Sequence, residues 1–256
     1  MEDSRNLRAW VGCSGWFYWH WKGLFYPAEE GTHKWFRHYT TTFRTVELNA
    51  PFYRWPLPAT VKRWVRDAPA GFRYCIKVNQ EITHEKRFAG TRERVLDFCG
   101  MAETLGTKLG CFLFQCPPSF RYSPEMLQNV LHQMPTSLKC VVEFRHKSWW
   151  NDEVFNAFQK HRVCFCSVSG PRLPDELVRT TDFVYLRFHG RDRWYRYNYS
   201  HPELRNWAQR LAVSGASEAW VYFNNDPDAR AIHNAKTFRN AIRRAARERG
   251  VTSRVS

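Results

Sequence analysis

Eight short runs rich in β-branched and aromatic residues alternate with helix-like patterns along nearly the whole 256-residue chain. They lie at 9–13, 45–48, 73–78, 110–115, 140–144, 163–167, 183–188 and 219–223. Several, such as Cys111-Phe112-Leu113-Phe114, are apolar on both faces, which suits parallel strands covered on both sides. Such alternation predicts an α/β fold with right-handed crossovers, and eight units predict a single closed (β/α)8 barrel, TIM-like, inside an outer ring of helices.

Helix starts fall between the runs. Thr32 opens one expected helix, to Thr42, and Pro58 another, to Arg66; residues 91–105 form an amphipathic stretch. Ser123-Pro124-Glu125, Asn151-Asp152-Glu153 and Ser200-His201-Pro202 each place a capping side chain before early acids or a proline. Asp226-Pro227 opens the last helix, which runs into a basic tail from 239 that reads as a solvated helix face. Short connections around the sixth run predict small or irregular helices there. No linker or repeat divides residues 1–256, so one domain is expected.

Composition narrows the class. A 43% hydrophobic and 16% aromatic content argues against disorder. No apolar run approaches the roughly 18 residues of a membrane span, and the opening MEDSRNLRAW has no apolar leader core, which points to a cytoplasmic protein without a membrane partner. Six of the eight cysteines sit inside apolar runs, and Cys164 and Cys166 make only a CxC, so the thiols read as reduced core residues. The net charge of +15, carried by 29 Arg and 10 Lys, favours an anionic partner, DNA or RNA among the candidates; its bland reading is a basic surface.

The polar residues gather where the runs end. Glu47 and Asn49 close the second, Lys77 the third, Gln115 the fourth, Glu143 and Arg145 the fifth, Arg187 and His189 the seventh, and Asn224-Asn225 follow the eighth. Alternation puts Glu47 with Asn49, Glu143 with Arg145 and Arg187 with His189 on shared faces. In a barrel these groups converge on the carboxyl rim, where barrel enzymes build their sites.

These same segments carry a resemblance. Gly12-Cys13-Ser14-Gly15-Trp16-Phe17-Tyr18, Val46-Glu47-Leu48-Asn49-Ala50-Pro51-Phe52-Tyr53, Lys77 with Ile82-Thr83-His84, Leu113-Phe114-Gln115-Cys116-Pro117-Pro118, Val142-Glu143-Phe144-Arg145-His146, Arg187-Phe188-His189-Gly190 and Tyr222-Phe223-Asn224-Asn225 resemble the YecE-like proteins, domain-of-unknown-function family 72. The resemblance covers almost the whole chain and implies a TIM-like barrel; it implies no reaction.

The candidate catalytic residues are Glu47, Glu143 and His189, as acid, base or ligand groups. The candidate substrate-binding residues are Asn49, Lys77, Gln115, Arg145, Arg187, Asn224, Asn225, Tyr53 and Trp16. Each has a structural counter-reading: rim carboxylates pair with rim cations, and aromatic loops cap barrels. A divalent metal is compatible but not required, since the strand ends carry one His and no Asp. Three functions stay open. The first is an enzyme, such as a hydrolase, acting on a phosphate-containing ligand, nucleic acid included. The second is a non-catalytic nucleic-acid-binding module, and the third is a Schiff-base lyase using Lys77.

Overall fold

The computed structural model describes residues 7–250 and 252–256; the opening residues 1–6, read above for a leader, lie outside the described residues. Strands β1 (Leu7–Cys13), β2 (Thr45–Leu48), β3 (Arg73–Lys77), β4 (Leu109–Gln115), β5 (Cys140–Glu143), β6 (Cys164–Ser169), β7 (Phe183–Phe188) and β8 (Glu218–Phe223) coincide with the eight expected runs. A ninth, β9 (Ser253–Val255), was not expected. All pair in parallel, in the order β2-β3-β4-β5-β6-β7-β8-β1-β9.

The sheet curls in TIM-barrel-like fashion, but its ladder does not close, which corrects the expected closed eight-strand barrel. Between β1 and β2 the regular pairing is replaced by a single parallel bridge, Ser14 to Glu47. The β1 edge that faces away from β8 is satisfied in two other ways. Residues 252–256 pair with its start, where Leu7 donates to the Thr252 carbonyl and Val11 to that of Ser256, both at 3.0 Å. Higher up, the Tyr39 hydroxyl accepts the Cys13 N–H at 2.9 Å and donates to the Thr45 carbonyl at 2.9 Å. A phenol therefore stands in the seam where a ladder bond would be. Gly12 makes room for it: a Cβ there would lie 2.4 Å from the Thr45 carbonyl oxygen and 2.9 Å from the Tyr39 hydroxyl.

The helices are α1 (Trp35–Thr42), α2 (Ala50–Tyr53), α3 (Pro58–Asp67), α4 (Arg92–Cys99), α5 (Met101–Leu105), α6 (Pro124–His132), α7 (Asp152–His161), α8 (His201–Ala212) and α9 (Arg230–Glu248). Three start as their sequences predict. Ser123 caps α6 by accepting from Met126, Asn151 caps α7 by accepting from Val154, and Ser200 and Glu203 form a capping box on α8. The expected 91–105 helix is broken at Gly100, giving α4 and α5. Strict alternation also fails once, because residues 170–182 between β6 and β7 contain no helix. The basic tail is only partly a solvated helix: α9 buries Phe238, Ile242 and Ala246, and its far end leads to β9. No described helix is long and apolar enough to cross a membrane.

Two layers of apolar side chains result. The larger lies between sheet and helices. The smaller fills the interior of the curl with Trp10, Cys75, Leu113, Cys166, Tyr185 and Trp220 among others, the Trp10 and Trp220 rings stacked at 5.2 Å. All eight cysteines are free and buried.

Candidate functional site

Above that interior layer the inward-facing side chains turn polar. Glu47, Lys77, Gln115, Glu143, Arg187 and His189, from five strands and the loop following β7, are all buried near the carboxyl ends. Burying charge is costly unless each charge finds a partner, and here one guanidinium supplies most of them. Arg187 donates through Nη1 to Glu143 Oε2, and through Nη2 to Glu47 Oε1 at 2.6 Å and to Ser14 Oγ at 3.1 Å. Glu47 also accepts from the Ser14 hydroxyl and from the Tyr185 hydroxyl at 2.7 Å. Asn49 donates to Ser14 Oγ at 3.2 Å. Glu143 Oε1 accepts from Arg145 Nε at 2.7 Å and lies 3.5 Å from His189 Nε2.

These contacts set the charges. Burial alone would raise the Glu143 carboxyl, but the Arg187 and Arg145 guanidiniums outweigh it and hold it well below the usual carboxylate range. His189 moves the other way: burial and then Arg187 push its imidazole down to about 3, so it is neutral. Its Nδ1 faces the Asn224 amide at 3.3 Å, and its Nε2 lies 3.5 Å from both Glu143 Oε1 and Arg145 Nη2. Trp194 and Tyr195 cover the ring, with centroids at 5.4 and 5.7 Å. The loop doing so turns at Gly190, where a φ of +104° and a Cβ that would lie 2.4 Å from the Arg193 carbonyl oxygen exclude a side chain.

Lys77 differs from its neighbours. Among the described residues its ammonium has neither a hydrogen bond nor a carboxylate within ion-pair distance, and it stands 3.6 Å from the centroid of the Phe52 ring. Burial and then Arg187 lower it to about 7, with Glu143 opposing. On the same Phe52 ring lies His84, edge-on at 4.9 Å. It sits in a π-helical turn (Glu81–Glu85) just after β3, a distortion frequent at functional sites. Burial and then Lys77 push His84 down to about 4, and Thr83 Oγ1 holds its Nδ1 at 2.9 Å.

The remaining candidates divide. Arg145 lies 4.8 Å from the Trp194 ring and donates to the Tyr195 hydroxyl at 2.8 Å, so it walls the mouth beside His189. Tyr53 is 71% exposed and rests edge-on against Phe52. Gln115 spends its amide on the Cys116 carbonyl at 2.6 Å. Asn225 is turned away, donating to the Tyr197 carbonyl and to Asn234. Trp16 packs on Phe36 at 5.1 Å, in an outer groove with Trp64 and Tyr74. Arg187, expected to be a ligand donor, has both terminal nitrogens engaged by carboxylates.

Sequence reasoning missed Tyr185, hidden in an apolar run; its signal was the two-residue register it shares with Arg187 and His189. It also missed a pair joining two rim loops: His20 Nε2 lies 2.7 Å from Asp226, whose carboxylate also accepts from Trp21 Nε1 at 2.9 Å and is raised by burial. Among the described residues no three His, Cys, Asp or Glu side chains are grouped to hold a metal ion.

Comparison with known proteins agrees with the motif resemblance. The model of the family described as "Protein of unknown function DUF72" matches residues 10–254. The UPF0759 protein YunF of Bacillus subtilis is 28% identical, over 88% of this chain and 92% of that protein. The UPF0759 protein YecE of Escherichia coli is 29% identical, over 44% of this chain and 42% of its own. A solved DUF72 family protein from Thermotoga maritima superposes with a TM-score of 0.83 at 29% identity, over 91% of this chain and 98% of that one. Another, from Enterococcus faecalis, shares the fold with a TM-score of 0.79 at 21% identity, over 91% and 95% of the two chains.

Proposed function

Because the chain belongs to the DUF72 family, whose description assigns no activity, we propose a function from the chemistry of the mouth: it is an enzyme site where the Lys77 amine captures a small aldehyde or ketone. The observation that carries this is the isolation of Lys77 within a cluster whose other charges are paired. An amine lowered to about 7 is substantially neutral at physiological pH, and only the neutral form has the lone pair that attacks a carbonyl carbon. Attack gives a carbinolamine; loss of its hydroxyl as water, after protonation, leaves the imine. We assign that proton relay to His84, a neutral imidazole across the Phe52 ring.

Glu47 and Glu143 then serve as fixed counter-charges of Arg187 rather than as free acids or bases. That weakens the phosphate-ester hydrolysis reading, which cast both as working acid or base groups beside His189. An anionic substituent on the carbonyl compound remains compatible with a mouth walled by Arg145.

Borohydride reduction tests the reading, with pyridoxal and pyridoxal 5′-phosphate as separate aldehyde probes near neutral pH. Peptide mapping should find Lys77 as the main reduced adduct, formed faster as pH rises through about 7 because the neutral fraction grows. Lys77→Met should remove that adduct. Labelling spread over exposed lysines such as Lys22, Lys34 and Lys160, with Lys77 untouched, would overturn the proposal. A faster reaction with the phosphorylated probe would assign the mouth an anion subsite as well.

A further inference from the structure

Residues 230–250 hold seven Arg or Lys against one acid, Glu248, so a twelfth of the chain carries a large share of the +15. Lys236, Arg243 and Arg247 are exposed at positions i, i+7 and i+11 of α9, one stripe of a 3.6-residue helix, with exposed Asn240 between them. Beside the stripe, α8 and α9 enclose a cleft of about 210 Å³ lined by His201, Arg205, Thr237, Asn240, Arg244 and Glu248. We propose that this α8–α9 face binds the phosphodiester backbone of a nucleic-acid duplex without reading its sequence.

The alternative is that these cations only complement the helix dipole. That effect is confined to the last turn; it covers Arg247 and Arg249 but not Lys236, Arg243 or Arg205, which belongs to the other helix. Like charges four apart on a helix cost a few tenths of a kcal/mol, so the Arg243–Arg247 spacing does not serve the helix. Nor do acids neutralise the face. Arg244 pairs with Glu248 at 2.8 Å, whereas Arg205, Arg247 and Arg249 have no carboxylate partner among the described residues. Arginine forks suit phosphate oxygens, and Thr237 and Asn240 add neutral donors at the cleft. Among the described residues no Phe, Tyr or Trp side chain lines the cleft, and single-stranded nucleic acid is typically held by stacking its bases on such rings. The chemistry therefore favours a duplex. This face is separate from the mouth and does not rest on the carbonyl reading.

Fluorescence anisotropy with a labelled DNA duplex, and with one of its strands alone, tests the proposal across about 50–200 mM salt. The triple variant Arg205→Ala, Arg244→Ala and Arg247→Ala should flatten the slope of log K against log salt by about 2.7, at about 0.9 per phosphate contact. The same three positions changed to Lys should restore most of it. A control triple, Lys160→Ala, Arg162→Ala and Arg179→Ala, removes equal charge near the amino ends of β6 and β7 and should leave the slope unchanged. Equal loss in both triples would show that bulk charge acts rather than this face, and the proposal would fall. Tighter binding of the single strand, no duplex binding, or binding of phosphatidylserine vesicles in place of the duplex would also overturn it.

Discussion

Arg187 shows how a residue can be placed on the inner face of the sheet from sequence while the partners that hold it stay hidden. Its place on the inner face followed from the strand period shared with His189, but sequence could not show that Glu47 and Glu143 arrive from β2 and β5 to enclose it. Convergence across non-neighbouring strands is a property of the curl, not of any local pattern. With the guanidinium gone, two carboxylates would be buried without their common counter-charge. Removing one member of a buried ion cluster typically costs about 3–5 kcal/mol, so Arg187→Met should lower the urea-unfolding free energy by about that much near neutral pH. Adding Glu47→Gln and Glu143→Gln to that variant should recover most of the loss, because neutral amides need no counter-charge. An Arg187→Met protein as stable as the parent would show that the two carboxylates are held by other means.

At the scale of elements, the eight main strands were legible because each is a buried run bounded by helix or turn signals. β9 was not, since Ser253-Arg254-Val255 has neither length nor an apolar pattern and is recruited only by the open edge of β1. The seam was equally hidden: Tyr39 reads as an ordinary helix aromatic until its hydroxyl is found between the Cys13 N–H and the Thr45 carbonyl. The seam predicts an outcome. Tyr39→Phe keeps the ring but leaves a buried donor and acceptor unpaired, at a cost of about 1–3 kcal/mol. For a chain of this size that corresponds to a fall in melting temperature of very roughly 2–12 °C, taking about 2–4 °C per kcal/mol. Hydrogen exchange at the Cys13 amide should accelerate in step. Unchanged melting and exchange would mean that the phenol does not hold the seam.

Over the whole molecule, the buried titratable groups set a pH of greatest stability, and the sign of each contribution can be worked out. His189 and His84 titrate at about 3 and about 4 when folded, against about 6.5 unfolded. As pH falls from about 6.5 the unfolded chain takes up protons that the native state refuses, so stability falls with acidification. Lys77 extends the trend upward. It begins to lose its proton near 7 when folded but near 10.4 when unfolded, so stability keeps rising with pH above neutrality. Thiols end the rise. Burial raises seven of the eight cysteines in the fold, so above about 8.5 the unfolded chain releases thiol protons that the native state retains, and stability falls again. The maximum is therefore expected between about 7 and about 8.5. Urea unfolding in reductant across this range measures it, since each excess proton bound by the unfolded state contributes a slope of about 1.4 kcal/mol per pH unit. His84→Gln should reduce the acid-side slope by about one proton, and Lys77→Met should remove the rise just above neutrality while raising stability at about pH 6, where the buried ammonium is charged. A flat profile between about 5 and 8, or one that His84→Gln and Lys77→Met leave unaltered, would show that these groups are not held neutral by the fold, and the amine chemistry assigned to Lys77 would lose its physical basis.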